Sequence, residues 1–461
     1  MNGLTSRQRK LVYAGGILLL LIPIVFLGAP TSEDVIPGSK AAVSGGVLAQ
    51  MRVQYDLGES TLGEIDPSSA AMNLVLLGLR GPAAGVLHLK ALDYQSKKDW
   101  AKLKTTVDSI IKLQPHYEEI WKFQGWNLAF NVSREWDQVG DRFYWVKEGI
   151  KFLQLGTDRN QTATILFYNV GDFMGRKFGN SDEKKFFRKF FIDDPDDERF
   201  GENSSDPEIN PEGKDNYLVA YDWFVNSNEK DRVYRIKGMT HVFARQGPSR
   251  ALLEYASAIQ NDGKFGEENR IAWQKAYTEW TEEYGTDEFL GMNDVKYKLN
   301  STPDDLEALA KENGVTLSVQ AQIWNQNVKM TNYNFWKEFA NCERDELTVA
   351  AHKSIYDGKV AYAEGKISDS GDVEDPTPSE AETKFLEGMT QFEQVLRKYP
   401  NLTSHDSYIE EAMLAVYYWQ KIHEYNGKPV PDNFPLKPIM ETQAGRYPDI
   451  ERQFRMEKNG L

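Results

Sequence analysis

The residues most able to do chemistry in this 461-residue chain are few and dispersed. Six histidines (88, 116, 241, 352, 405 and 423) are scattered along it, and His241 lies near Arg235, Lys237 and Arg245. A lone histidine is more often a satisfied structural group than a base or ligand. No phosphate-binding GxxxxGK[ST] loop, HExxH zinc motif or GxSxG nucleophile elbow occurs. No Glu-x-x-His pair marks a di-iron bundle. The acidic run after Phe191, beginning DDPDDE, fails as a calcium loop: a start at Glu208 places Val219 where the bidentate glutamate belongs. It reads as a solvated loop. The single cysteine, Cys342, excludes an intrachain disulfide and a Cys-rich zinc or iron–sulfur site, and reads as a buried thiol. No catalytic, metal or cofactor residue is assigned.

Two constellations suit binding. In WKFQGWNLAFN, Trp121 to Asn131, aromatics alternate with amides. At about 100° per residue, Trp121, Gly125, Leu128, Ala129 and Val132 share one helix face. Phe123, Trp126 and Phe130 form a second, with Gln124, Asn127 and Asn131 as a polar stripe between them. Unpaired buried amides are costly, so the stripe meets water, backbone or a ligand. Gln124, Asn127, Asn131, Arg134, Asp141 and Arg142 are the groove candidates. Trp126, Phe130, Trp136 and Trp145 are the candidates for an aromatic pocket. In KKFFRKFF, Lys184 to Phe191, four phenylalanines fall on one half of a helix and four basic residues on the other. That pattern suits a membrane surface, but the segment spans only ~12 Å and an acid run follows, so a repeat helix burying its Phe face is the better reading.

The positioning elements are helical. Ser68 to Leu79, Ala83 to Gln95 and Lys98 to Leu113 read as helices, the last with Leu103, Val107, Ile110 and Ile111 on one side and Pro115 as its stop. Leu87, Ala91 and Tyr94 match the small-residue register of a tetratricopeptide unit. Gly125 follows Ala91 by 34 residues, flanked by Trp121, Gln124 and Leu128. Phe167, Val170, Gly171 and Met174 form a third copy after an insertion. Residues 217–245 suit strands or short helices. Further helices are expected over 248–261, 267–284, 304–313 and 332–364, then 380–398 and 407–425, with an acidic loop at 366–379.

Composition bounds the setting. The net charge of −15 opposes nucleic-acid binding, which requires clustered cations. Arg7, Arg9 and Lys10 precede the uncharged LVYAGGILLLLIPIVFLGA, residues 11–29, and Glu33 and Asp34 follow. About 19 apolar residues suffice to cross a bilayer, and the charge bias directs the N-terminus to the cytoplasm. A cleaved signal peptide is the alternative. Sequons at Asn131, Asn160, Asn203, Asn300 and Asn401 read as chance.

The stretches WKFQGWNLAFNVS, DRFYWVKEGIKFLQLG, NVGDFMGRKFGNSDE followed by FRKFF, NYNFWKEF and PDNFPL resemble a family of membrane-anchored planctomycete proteins. The resemblance covers most of residues 66–436. Some members carry a label referring to an iron-responsive element, which implies RNA binding or iron regulation. The acidic charge and the missing cysteine cluster oppose that implication, and the resemblance supplies no catalytic residues.

The expected fold is mainly α. A transmembrane anchor (1–29) and tether (30–65) lead to tetratricopeptide-like repeats (66–192). A mixed insertion (193–331), C-terminal hairpins (332–425) and a tail (426–461) complete it. The expected role is a single-pass inner-membrane scaffold, extracytoplasmic in bulk, with a groove for a protein or peptide partner. A small-ligand receptor or enzyme with an aromatic pocket is the alternative.

Overall fold

The computed structural model describes residues 80–372 and 375–460. The anchor, the tether and the helix expected over 68–79 lie outside them. Among the described residues, no helix is long and apolar enough to cross a membrane. The chain is mainly α-helical and divides into two compact units, Met1–Phe167 and Tyr168–Leu461. The division falls inside the expected 66–192 array.

In the first unit, α1 (Arg80–Ser96) and α2 (Trp100–Leu113) form a hairpin. Asp99 begins α2: its carboxylate accepts from the Lys102 backbone N–H and pairs with the Lys102 ammonium at 2.6 Å. Leu103, Val107, Ile110 and Leu113 recur at helical spacing and are buried. Helix α3 (Glu118–Trp126) then packs on α4 (Val139–Arg159). Small residues permit that crossing. A Cβ on Gly149 would lie 2.7 Å from the Gly125 carbonyl oxygen, and one on Gly156 would press on the Trp121 ring at 3.0 Å.

Helix α5 (Thr164–Asp172) spans the division, and the second unit continues through α6 (Lys184–Ile192) and the short α7 (Asp197–Phe200) to α8 (Asn216–Tyr234). Helix α8 occupies most of the segment expected to hold strands or short helices; Asp215 caps it, accepting from the Tyr217 N–H. The loop before α8 is ordered by Asn210, whose side chain donates to the carbonyls of Phe191 and Lys214 and accepts from the Lys214 N–H. Phe187 and Phe191 of α6 are buried against Phe178, but Phe186 is exposed. Phe190 is half-buried, so one of the four phenylalanines of the expected Phe face is solvated. Arg188 leaves the expected basic surface to bind Asp215 and Asp262, each at 2.8 Å.

Next come α9 (His241–Arg245), α10 (Gly247–Asn261) and α11 (Glu267–Thr278). A two-stranded hairpin, β1 (Phe289–Leu290) with β2 (Lys296–Tyr297), precedes α12 (Pro303–Asn313) and α13 (Leu317–Met330). Trp273, Trp280, Tyr284 and Tyr333 centre this core. The expected helix over 332–364 is two, α14 (Tyr333–Glu343) and α15 (Glu346–Ala363), because Asp345 caps a new start by accepting from the Leu347 N–H. The loop at 366–379 contains a second hairpin, β3 (Ser370–Asp372) with β4 (Asp375–Thr377). Helices α16 (Glu380–Lys398) and α17 (Asp406–Tyr425) follow as expected, before α18 (Lys437–Thr442) and α19 (Tyr447–Gly460). Phe385, Met389, Phe392, Val395 and Leu396 of α16 are all buried.

Three α-helices continue without a break into π-helical turns: α3 into Asn127–Asn131, α5 into Phe173–Lys177 and α11 into Glu279–Tyr284. A π turn takes in one extra residue and rotates every later side chain relative to an α-helical extrapolation. Such turns are frequent at functional sites.

Candidate functional site

Of the expected groove residues, Asn127 and Asn131 fall on the first of these π turns, Gln124 on α3 before it, Arg134 in the 3-10 turn after it, and Asp141 and Arg142 on α4. Gln124 is 4% exposed and Asn127 only 1%. The Asn127 Oδ1 accepts from Gln95 Nε2 at 3.2 Å and from Asn131 Nδ2 at 2.9 Å. The stripe is thus largely an internal amide ladder tying α1 to α3. Gln124, on α3 ahead of the π turn, and Asn127, the first residue of that turn, both point inward. Gln124 Oε1 and Asn127 Nδ2 are buried without a partner. Asn131 and Arg142 are half-buried, whereas Arg134 and Asp141 are exposed. The Arg142 Nε donates to the Trp136 carbonyl at 2.6 Å.

The aromatic candidates form two pairs. Trp126 stacks on Phe130 at 5.6 Å, and Trp136 on Trp145 at 6.2 Å. Trp126 is 47% exposed and Trp136 42%. Their partners Phe130 and Trp145 are half-buried.

A concavity lies in the second unit, at residues of which the sequence singled out only Arg245, as a neighbour of His241. Helix α8 presents Tyr221, Val225, Asn228 and Arg232 at i, i+4, i+7 and i+11, one face of a helix, to a cleft of about 390 Å³. Arg245 of α9 and Pro248 of α10 close one side. The π turn after α11 supplies Glu279, Glu283 and Tyr284, and Asp287 follows it.

The charges behind this cleft are ordered. Burial alone would raise the Asp231 carboxyl, but three donors outweigh it: the Ile236 N–H at 2.8 Å, His241 Nδ1 at 2.9 Å and Arg245 Nε at 2.9 Å. Asp231 is therefore held below the usual carboxylate range. This pairing places His241 in a structural role, beside Arg245 as its sequence neighbourhood suggested. Arg245 also binds Asp287 at 2.9 Å, and Arg232 approaches the same carboxylate at 3.6 Å. Both arginine charges are thus matched by aspartates.

The glutamates in the lining are not matched. Glu229, Glu279 and Glu283 have no ion-pair partner among the described residues. Burial and the neighbouring Glu283 carboxylate push the Glu279 carboxyl up, partly countered by the Tyr221 hydroxyl, which donates to Oε2 at 3.3 Å, and by the nearby Lys275 ammonium, which is too far away to form an ion pair. Burial, then the nearby Glu279, pushes the Tyr221 phenol up to about 12. Asn228 Nδ2 donates to the Arg245 carbonyl, while its Oδ1 is buried without a donor. The cleft therefore carries an excess of hydrogen-bond acceptors and negative charge.

A second titratable cluster is largely buried, with Glu411 at its partly exposed edge. His352 Nδ1 lies 2.7 Å from Glu411 and Nε2 3.2 Å from Glu343. Tyr408 donates to Glu343 at 2.6 Å. Burial pushes the adjacent Cys342 thiol up to about 12, with Glu343 adding to the effect, so it stays protonated. This cluster joins α14, α15 and α17 and serves packing. Among the described residues, no group of three or more His, Cys, Asp or Glu side chains is placed to hold a metal ion.

Comparisons with protein-family models, with curated proteins and with solved structures give no match to this chain.

Proposed function

We propose that this chain is a binding protein, anchored by residues 11–29 with its bulk outside the cytoplasm, whose helical hairpins hold a protein or peptide partner. The observation that carries the reading is the acceptor-rich cleft between α8, α10 and the π turn at Glu279–Tyr284. It is open, and its rigid walls are helices, an arrangement suited to holding a segment of another chain. Within the second unit, the hairpin of α15 and α16 is close-packed at Gly358 and Gly388. A small-molecule receptor is the second reading, favoured by the same cleft's volume of about 390 Å³.

The test is mild crosslinking and affinity capture of the tagged full-length protein from its own membranes. The expected result is a reproducible partner that is lost when Glu229 and Glu283 are both changed to Lys. Recovery of the protein alone would overturn the partner reading and direct attention to small ligands.

A further inference from the structure

We propose that the cleft takes an organic cation, an alkylammonium or a guanidinium group. The inference rests on the binding reading above and names the chemistry of what is bound. Three observations converge. The lining holds three glutamates, none with an ion-pair partner among the described residues, whereas the arginines beside them are matched by Asp231 and Asp287. The Asn228 Oδ1 is a further acceptor, buried and without a donor. The remaining wall is apolar: Val225 and Pro248 suit a methylene stem behind a charged head, while Lys275, over the Tyr221 ring at 5.1 Å, stands outside the lining.

The cation is organic because of how the acceptors are distributed. Glu229 is on α8, whereas Glu279 and Glu283 are on the π turn. They do not converge as a three-ligand set, which a small divalent ion requires. An ammonium or guanidinium group instead offers three to five N–H donors spread over a larger volume. Glu279 and Glu283, four residues apart, both reach the cleft, while Glu282, between them, stays outside the lining.

Two sources offer this chemistry: the Lys or Arg side chain of a partner chain, and a free polyamine. The experiment uses the full-length chain in lipid nanodiscs and calorimetric titration. The probes are N-acetyl-lysine methylamide, N-acetyl-arginine methylamide and spermidine, with the neutral N-acetyl-norleucine methylamide as control. The expected result is saturable binding of the cationic probes, absent for norleucine. Glu279→Gln/Glu283→Gln should weaken it at least tenfold, and Glu282→Gln should leave it unchanged. A lysine or arginine probe binding as well as spermidine assigns the site to a side chain, and a clear preference for spermidine assigns it to a polyamine. Should the double variant fail to fold, Glu229→Gln and Glu283→Gln singly give the same reading from exposed positions. No saturable binding of any cation, equal binding of norleucine, or unchanged affinity in the Gln variants would overturn the proposal. Partner capture is a separate readout. Cation binding without a captured partner removes only the protein-partner reading, and capture without cation binding removes only this inference.

Discussion

Gly149→Ala is the sharpest test of how the first unit is packed. A Cβ at this position would meet the Gly125 carbonyl oxygen at 2.7 Å and the Ala129 backbone nitrogen at 3.0 Å. Both are backbone atoms on the facing helix, so no rotamer change relieves the contact and α3 and α4 must separate. Overpacking of this kind costs about 1–3 kcal/mol. The upper part of that range applies because the clash is with backbone. Replacing glycine by alanine inside a helix returns about 1 kcal/mol. The net expectation is a loss of about 1–2 kcal/mol. Gly140, in the first turn of the same helix, has nothing within 4 Å of its would-be Cβ. Gly140→Ala should therefore stabilise the helix by about 0.5–1 kcal/mol. The assay is native-state hydrogen exchange read by mass spectrometry on peptides from α3 and α4, because a chain of two units need not unfold in one step. A loss of about 1.4 kcal/mol appears as roughly tenfold faster exchange. If Gly149→Ala exchanges as slowly as the parent, or if both variants behave alike, the close crossing at Gly125 and Gly149 is refuted.

Three further outcomes follow from the polar groups. Asn127→Ala should destabilise the first unit by about 1–3 kcal/mol, because it strands the Gln95 and Asn131 amides; Asn131→Ala, half-buried and with one such bond, should cost less, and chemical denaturation orders the two. Burial opposes the charge on His352, yet Glu411 and Glu343 outweigh it and hold the imidazole well above its ordinary 6.5. Its contribution to stability is thus complete below pH 6.5 and lost as the pH rises through the raised value. Burial likewise opposes the Glu343 charge, but His352 and the Tyr408 hydroxyl outweigh it and lower the carboxyl, so its contribution is present above its ordinary 4.5 and lost as the pH falls through the lowered value. The melting temperature should peak between these limits, and His352→Gln should flatten the alkaline side. Finally, cation binding in the cleft should weaken on acidification from above the ordinary glutamate value of 4.5, since the Glu279 carboxyl is raised and gains a proton early. Titrations at two pH values read this directly.

Much of the helical scaffold was legible because its signals are local. The apolar spacing of Leu103, Val107 and Ile110, the Pro115 stop and the Phe385–Leu396 stripe need only a 3.6-residue period. Gly125 and Gly171 were legible as close-packing positions for the same reason, and a Cβ on Gly171 would indeed touch the Phe224 ring at 3.0 Å. The site was not legible. Its residues come from α8, α9, α10 and the turn after α11, and no spacing in the chain announces that convergence. Glu279 and Glu283 did carry a signal, as two acids four residues apart beside Tyr277 and Trp280, but the same pattern marks any solvated helix face. The amides Gln124 and Asn127 were legible as one stripe, but a helical wheel gives phase and not which neighbour covers it, and both are buried. The helix α8 was obscured by its aromatic and β-branched content, Tyr217, Val219, Tyr221, Trp223 and Val225, which suits strands as well.

The most direct test of the binding reading is site-specific photocrosslinking in the native membrane. A photoreactive residue replaces Val225 in the cleft wall, with Val233, exposed further along the same helix, as the control position. The account predicts an adduct from position 225 and none from 233. Mass spectrometry should place it next to a Lys or Arg of a partner chain, and excess N-acetyl-lysine methylamide should suppress it. Equal labelling from both positions, or an adduct indifferent to that competitor, would contradict the account.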